Sequence, residues 1–102
     1  MRVEIDTHTH TLASGHAYNT INEMAKTAAD KGLKVLAITE HAPQMPGTCH
    51  LFYFQNLRVV PRERYGIELL LGTELNIMNE DGEVDLPEET LKTLDIAIAS
   101  MH

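Results

Sequence analysis

The sequence predicts an α/β fold in which parallel strands are joined by crossover helices. Short segments rich in aliphatic and β-branched residues alternate with helical segments along the 102 residues, which is the pattern of repeated βαβ units. Most histidines lie near the ends of the strand segments, and the carboxyl ends of parallel strands are where such folds carry their function. We therefore expect one parallel sheet or barrel with a site along that edge.

Four segments predict strands and three predict helices. The first helix, over residues 20–31, has the clearest boundaries, because Thr20 and Glu23 have the spacing of a capping box and Gly32 follows the last turn. Its apolar stripe consists of Ile21, Met24, Ala25 and Ala28. The predicted strands cover residues 3–10, 35–39, 68–77 and 95–100.

The other two helices are less regular. Residues 51–65 predict a helix that Pro61 disturbs, and residues 88–93 predict a short helix that begins after Pro87. Between the third and fourth strands, the Asp81-Gly82 dipeptide predicts a hairpin turn over residues 79–83. We expect this turn to lie on the surface.

Composition and charge limit the kinds of partner. Hydrophobic residues make up 43% and charged residues 23% of the chain, as in soluble globular proteins, and no apolar run reaches the roughly 20 residues that span a bilayer. The formal net charge of -7 opposes the basic surface that nucleic acid requires, so we expect a small substrate, no nucleic acid and no membrane partner. The single Cys49 and the lack of a signal-peptide pattern predict a cytoplasmic location.

The histidines are the main indication of chemistry. Five of the six histidines are His8, His10, His16, His41 and His102, and four of these lie at or just past the end of a predicted strand. Because alternate residues of a strand share a face, Asp6, His8 and His10 are expected to form one polar row. Two imidazoles on one strand face can converge on a metal ion, although an isolated H-x-H pair could equally lie on the surface of an edge strand.

Glu74 interrupts an otherwise apolar strand, where an ionised carboxylate needs an ion pair or a metal. The alternative is a salt bridge to Arg or Lys. His102 would extend from the end of the fourth strand, or would be a frayed terminal residue.

Four further polar residues have weaker indications. Asp6 and Glu40 neighbour the candidate ligands and could accept a hydrogen bond from an imidazole, or could be solvated or salt-bridged. Arg58 and Arg62 could bind a substrate phosphate, or could lie on a solvated helix face.

Several motifs together resemble one family. Asp6-Thr7-His8-Thr9-His10 resembles the D-x-H-x-H opening of PHP (polymerase and histidinol phosphatase) domains. The segments 13–18, 37–41, 72–77 and 99–102 resemble successive motifs of the YcdX-type phosphatases, in the same order and spacing. The resemblance covers essentially the whole chain.

The resemblance implies a distorted (βα)7 barrel with up to three metal ions, of which residues 1–102 would be the N-terminal portion of a single PHP domain with its first four strands. It implies that His8, His10 and Glu74 bind one metal, Glu74 and His102 a second, and His16 and His41 a third, with His10, Glu74 and His102 at the catalytic centre. Zinc is the usual metal, with manganese or iron as alternatives. The implied reaction is hydrolysis of a phosphomonoester by metal-activated water.

Chain length leaves other hypotheses open. In the family, a later histidine and a late D-x-H pair complete these sites, and a (β/α) barrel typically needs roughly 250 residues, so a truncated chain with incomplete metal sites is expected. One alternative is a non-catalytic fragment that binds metal and forms a homo-oligomer, because an incomplete barrel leaves open strand edges. The other is an amidohydrolase-like metal hydrolase, which also has H-x-H on its first strand.

Overall fold

A five-stranded sheet forms the centre of the molecule in the computed structural model, which describes residues 4–100. The strands are β1 (Ile5–Thr9), β2 (Val35–His41), β3 (Glu63–Arg64), β4 (Ile67–Asn76) and β5 (Ile96–Ser100). The helices are α1 (Ile21–Asp30), α2 (Leu51–Asn56) and α3 (Glu88–Leu91), with 3-10 turns at Leu12–Ser14 and Leu57–Val59. In the described part of the chain, no helix is both long and apolar enough to cross a membrane.

β4 is the longest strand and organises the sheet. One edge pairs in parallel with β2, from Val35 opposite Glu68 to His41 opposite Glu74. The other edge pairs antiparallel with β3 at its start and parallel with β5 from Gly72 to Asn76. β1 pairs in parallel with β2. Four parallel strands with crossover helices thus curl into a half-barrel, which confirms the predicted fold class.

The capping box predicted for α1 is present. The Thr20 hydroxyl accepts the Glu23 backbone N–H at 3.2 Å, and the Glu23 carboxylate accepts the Thr20 backbone N–H at 2.9 Å. Ala25 and Ala28 are buried against the sheet. Gly32 follows the helix with φ of 83°, the left-handed conformation that ends many helices.

The helix predicted over residues 51–65 is wrong beyond Val59. Tyr65 and Gly66 have φ of 52° and 77°, the geometry of a two-residue hairpin loop. This loop joins β3 to β4, with Arg64 opposite Ile67. Pro61 cannot donate the hydrogen bond that a continuing helix requires, so the chain turns into a strand instead.

The other boundary differences are small. α3 ends at Leu91 rather than residue 93, and β2 extends to His41 rather than residue 39. The predicted turn over residues 79–83 is confirmed by Gly82 with φ of 80° and by the antiparallel bridge between Ile77 and Val84.

β2 and β4 separate the hydrophobic core from the polar edge. Alternate residues of a strand point to opposite faces, and the face toward the helices carries Leu36, Ile38, Leu69 and Leu71, which are at most 2% exposed. The opposite face carries Glu74. The core therefore lies on one side of the sheet and the candidate site on the other.

β1 does not alternate strictly. Asp6 is in register with Leu36, but Thr9 is in register with Ile38, so a bulge inserts one extra residue between Asp6 and Thr9. Residues in register on parallel strands share a face, which places Asp6 and His10 on opposite faces. The predicted single row of Asp6, His8 and His10 is therefore wrong at Asp6.

Candidate metal centre

Glu74 lies at the centre of a group of imidazoles at the carboxyl ends of the strands. Its Oε1 is 2.7 Å from His8 Nε2, 3.1 Å from His10 Nε2 and 3.5 Å from His41 Nδ1. Its Oε2 accepts a hydrogen bond from the Ser100 hydroxyl at 2.9 Å. His41 reaches Glu74 because the two residues are in register on β2 and β4. The carboxylate is only 4% exposed, so these groups are its main surroundings.

The imidazoles determine the charge on Glu74. Burial alone would raise the pKa of this carboxyl, but hydrogen bonds from His8 and Ser100 and the charges of His41 and His8 lower the pKa to about 2. Burial lowers the pKa of His10 against the opposing effect of Glu74 and Glu40. At neutral pH the site therefore combines an ionised carboxylate with a neutral imidazole.

The four histidine rings form a continuous array. His10 stacks on His41 with ring centroids 4.3 Å apart, and His16 lies edge-on to His41 at 4.7 Å. His8 and His10 are 5.2 Å apart. We call His8, His10, His16, His41 and Glu74 the histidine cluster. It brings together residues that are up to 66 positions apart in the chain.

Part of the histidine cluster has the geometry of a cation site. One ligand atom from each of His8, His10 and Glu74 lies within 4.8 Å of the others. Imidazole nitrogen and carboxylate oxygen are the donors that zinc and similar divalent ions use. A cation among these atoms would also neutralise the buried charge of Glu74, so the residues present fit a metal.

A tight loop positions His16. Thr11 caps the 3-10 turn Leu12–Ser14, and Gly15 ends it with φ of 85°. A Cβ at Gly15 would overlap the carbonyl oxygen of Gly47. Glycine is therefore required both by the backbone conformation and by the close approach of the two loops, which holds His16 next to His41.

Glu40 lies on the helix-facing side of β2 and is fully buried. Its Oε1 accepts the backbone N–H of Thr11 at 2.8 Å and the hydroxyl of Ser14 at 2.8 Å. Its Oε2 accepts the hydroxyls of Thr11 and Tyr53. Burial next to Glu40 raises the pKa of Tyr53, so that hydroxyl remains a donor. Glu40 Oε1 is 3.9 Å from His10 Nδ1, and Ser14 lies between them.

The sequence indicated Glu40, but not the hydroxyls around it or the contact of Ser100 with Glu74. Ser14 lies within the motif at residues 13–18, Thr11 lies just before it, and Ser100 lies within the motif at residues 99–102. These positions were the only features of the sequence that pointed to the three hydroxyls. Tyr53 had none, because its contact with Glu40 joins residues 13 positions apart through the fold.

Arg58 and Asp6 differ from the cluster residues in what they contact. Arg58 lines a groove of about 410 Å³ with Phe52 and Thr93, and the cluster residues are not among those that line it. Asp6 accepts the backbone N–H of His8 at 3.2 Å rather than an imidazole. His102 lies outside the described residues.

Three other polar residues have structural contacts. The Arg62 guanidinium forms a salt bridge with Asp95, with 2.7 Å between Nε and Oδ2, and donates a hydrogen bond to the backbone carbonyl of Leu57. His50 caps α2. Cys49 is buried, which raises its pKa to about 12 and keeps the thiol protonated.

Known proteins with similar sequences identify the family of this chain. Residues 6–102 match the PHP domain. A probable phosphatase of Thermoanaerobacter pseudethanolicus is 56% identical over the whole chain, which covers 42% of that relative. Probable phosphatases of Caldicellulosiruptor saccharolyticus and Aliivibrio fischeri are each 55% identical over the whole chain, which covers 43% and 41% of their lengths. The chain thus spans less than half the length of these curated relatives, and it belongs to the PHP domain family.

Proposed function

We propose that the chain provides part of the active site of a metal-dependent phosphoesterase that hydrolyses phosphomonoesters. The observation that carries this proposal is the convergence of His8 Nε2 and His10 Nε2 on one oxygen of Glu74, at 2.7 and 3.1 Å. Residues 1–102 would be the N-terminal portion of one PHP domain, as the relatives' greater length supports.

The proposed ligand sets follow the family resemblance. His8, His10 and Glu74 would hold one divalent cation, with zinc the first candidate and manganese or iron the alternatives. Glu74 would share a second cation with His102, and His16 and His41 would hold a third. Bound cations supply an activated water and neutralise negative charge on the phosphate.

The chain's own residues prepare the site for these ions. Glu74 is ionised because its pKa is low, and its two oxygens face different groups, which suits a bridging carboxylate. Ser100 holds Oε2 at 2.9 Å, which limits rotation of the carboxylate. The stacked rings of His10 and His41 exclude water between them.

The proposed substrate is a small phosphate ester. The names of the relatives indicate a phosphatase, and a net charge of -7 would repel a phosphate wherever cations did not reverse the field. Substrate binding should therefore depend on metal loading rather than on surface lysines or arginines.

Metal analysis combined with turnover tests the proposal. The purified chain is loaded with zinc, and bound zinc and hydrolysis of p-nitrophenyl phosphate are measured before and after chelation. We expect Glu74→Gln to weaken zinc binding by at least about 100-fold, since even indirect supports of a ligand contribute about 10- to 100-fold. Glu80→Gln, at an exposed residue of the hairpin turn, makes the same charge change and should bind zinc normally.

Three outcomes separate the hypotheses. Wild-type protein that takes up no zinc would contradict the proposed metal site. Stoichiometric zinc with no turnover would favour the alternative of a chain that binds metal without catalysis. Chelator-sensitive turnover that Glu74→Gln abolishes is the result expected for the phosphoesterase.

A further inference from the structure

The Ser14 hydroxyl links Glu40 to the histidine cluster. Ser14 is 1% exposed, and its oxygen has three polar neighbours: the backbone nitrogen of His41 at 3.0 Å, Oε1 of Glu40 at 2.8 Å and Nδ1 of His10 at 3.4 Å. A hydroxyl has one hydrogen to donate and two lone pairs that accept. Ser14 can therefore bond all three neighbours if two of them donate to its oxygen and the third accepts its hydrogen.

Two of the three roles are fixed by chemistry. The backbone N–H of His41 can only donate. Oε1 of Glu40 already accepts the backbone N–H of Thr11 at 2.8 Å, so this oxygen is an acceptor and receives the hydrogen of Ser14. The remaining lone pair of Ser14 can then accept only from His10. Nδ1 of His10 must therefore carry a hydrogen.

We propose that Ser14, oriented by Glu40, keeps a hydrogen on Nδ1 of His10 and so leaves Nε2 as the nitrogen available to a metal. This inference rests on the proposed function, in which His10 is a metal ligand. Nε2 is the nitrogen that faces Glu74, at 3.1 Å. Ser14 is a positioning residue, because it acts on the metal only through His10.

Loss of Ser14 has a specific expected consequence. Without the hydroxyl, Nδ1 no longer has this acceptor, and the ring can place its hydrogen on Nε2 and donate to Glu74. That hydrogen bond would join Nε2 of His10 to Oε1 of Glu74, which are the two atoms that a metal would bind. Metal binding would then have to break it, which weakens the affinity.

Nitrogen NMR of histidine-labelled protein tests the inference directly. The ¹⁵N chemical shift of His10 Nδ1 is measured in the metal-free chain at pH 8, with the signal assigned by its loss in His10→Gln. We expect a hydrogen-bearing Nδ1 in the wild type and a hydrogen-free Nδ1 in Ser14→Ala. Zinc affinity, measured by chelator competition, should fall about 10- to 100-fold in Ser14→Ala.

Two control variants isolate the effect. Glu40→Gln retains an amide oxygen that can take the place of Oε1, because the Thr11 N–H still needs an acceptor, so Nδ1 should keep its hydrogen. Thr93→Ala removes a hydroxyl that donates to the backbone carbonyl of Thr90 at 2.7 Å, next to α3. This variant should change neither the NMR signal of His10 nor the zinc affinity.

The wild-type spectrum alone can overturn the inference. A hydrogen-free Nδ1 in the wild type would contradict it, whether or not the variants fold. Identical Nδ1 signals and zinc affinities in wild type and Ser14→Ala would also contradict it. A hydrogen-bearing Nδ1 in a protein that binds no zinc would overturn the proposed function and leave the hydrogen-bond assignment intact.

Discussion

Glu74 remains ionised although it is 4% exposed. An unpaired carboxylate at that depth would be strongly destabilising, but His8 and Ser100 each place a hydrogen-bonding atom within 2.9 Å of its oxygens. His8, a proposed metal ligand, therefore also stabilises the metal-free chain. This makes folding depend on pH.

The free energy of unfolding should fall in acid because of Glu74. The pKa of this carboxyl in the folded chain is about 2, below the ordinary 4.5, so its ionised form stabilises the fold above pH 4.5, and this contribution is lost as the pH falls toward 2. The difference corresponds to about 3 kcal/mol. Urea unfolding of metal-free wild type and Glu74→Gln at pH 2.5 to 7 measures it.

Other acids also titrate in this range, so the comparison between variants carries the test. Glu74→Gln should have a visibly shallower pH dependence of unfolding than the wild type. Glu80→Gln changes the charge equally at an exposed site and should keep the wild-type dependence. Equal slopes in all three proteins would contradict the assignment of a low pKa to Glu74.

Much of the histidine cluster could be predicted from the sequence, because strand ends constrain where residues lie. His8, His10 and His41 follow or end strands, and parallel strands bring their carboxyl ends to one edge. The bulge between Asp6 and Thr9 could not be predicted, since the sequence alone does not show where a strand gains an extra residue. Ser14 and Tyr53 were also missed, because their importance depends on contacts with the buried Glu40.

At the level of single elements, Gly72 allows β4 and β5 to approach. A Cβ at Gly72 would overlap the carbonyl oxygen and side chain of Ile96, with which it is in register. β5 carries Ser100, which bonds Glu74. The spacing of these two strands therefore controls both the sheet and the hydrogen bond to the carboxylate.

Gly72→Ala should destabilise the chain by about 1 to 3 kcal/mol, as expected for overpacking in a close-packed region. It should also weaken zinc binding, because a shift of β5 moves Ser100. Chemical unfolding and chelator competition measure the two effects. Gly82→Ala is the control: Gly82 has φ of 80°, and a Cβ added there would meet no atom within 4 Å, so backbone strain should lower stability without altering zinc affinity.

A normal zinc affinity in a destabilised Gly72→Ala would contradict the link between strand spacing and the site.

The β3–β4 hairpin shows how far secondary structure could be predicted from the sequence. Residues 51–65 begin with a helical segment, and Val59, Val60, Pro61 and Gly66 argue against its continuation. The pairing of Arg64 with Ile67 decided the outcome, and such pairing depends on the sheet that is already present.

For the whole molecule, the sheet has open edges at β1 and at β5. Within residues 4–100, β1 pairs only with β2 and β5 only with β4, and Ile5 on β1 is 54% exposed. Strand edges with exposed apolar side chains favour pairing with another chain. The predicted homo-oligomer remains a prediction, and β1 is the surface at which to test it.

Light scattering coupled to size-exclusion chromatography should show self-association that increases with protein concentration. Ile5→Lys should shift the chain toward the monomer, because lysine on an edge strand opposes strand pairing. Met78→Lys adds the same charge at another exposed apolar residue, which is 48% exposed in the hairpin region, and should leave the association unchanged. A monodisperse monomer at all concentrations would contradict the prediction.

Glu40 and His41 are consecutive residues on opposite faces of β2, which has a consequence for protein engineering. A design protocol that improves packing beneath α2 would readily exchange Tyr53 for phenylalanine, because the ring would be kept and a buried polar atom removed. The exchange would delete a hydroxyl donor 3.2 Å from Glu40. Thermostability libraries for this fold should therefore hold Tyr53 constant together with the histidines.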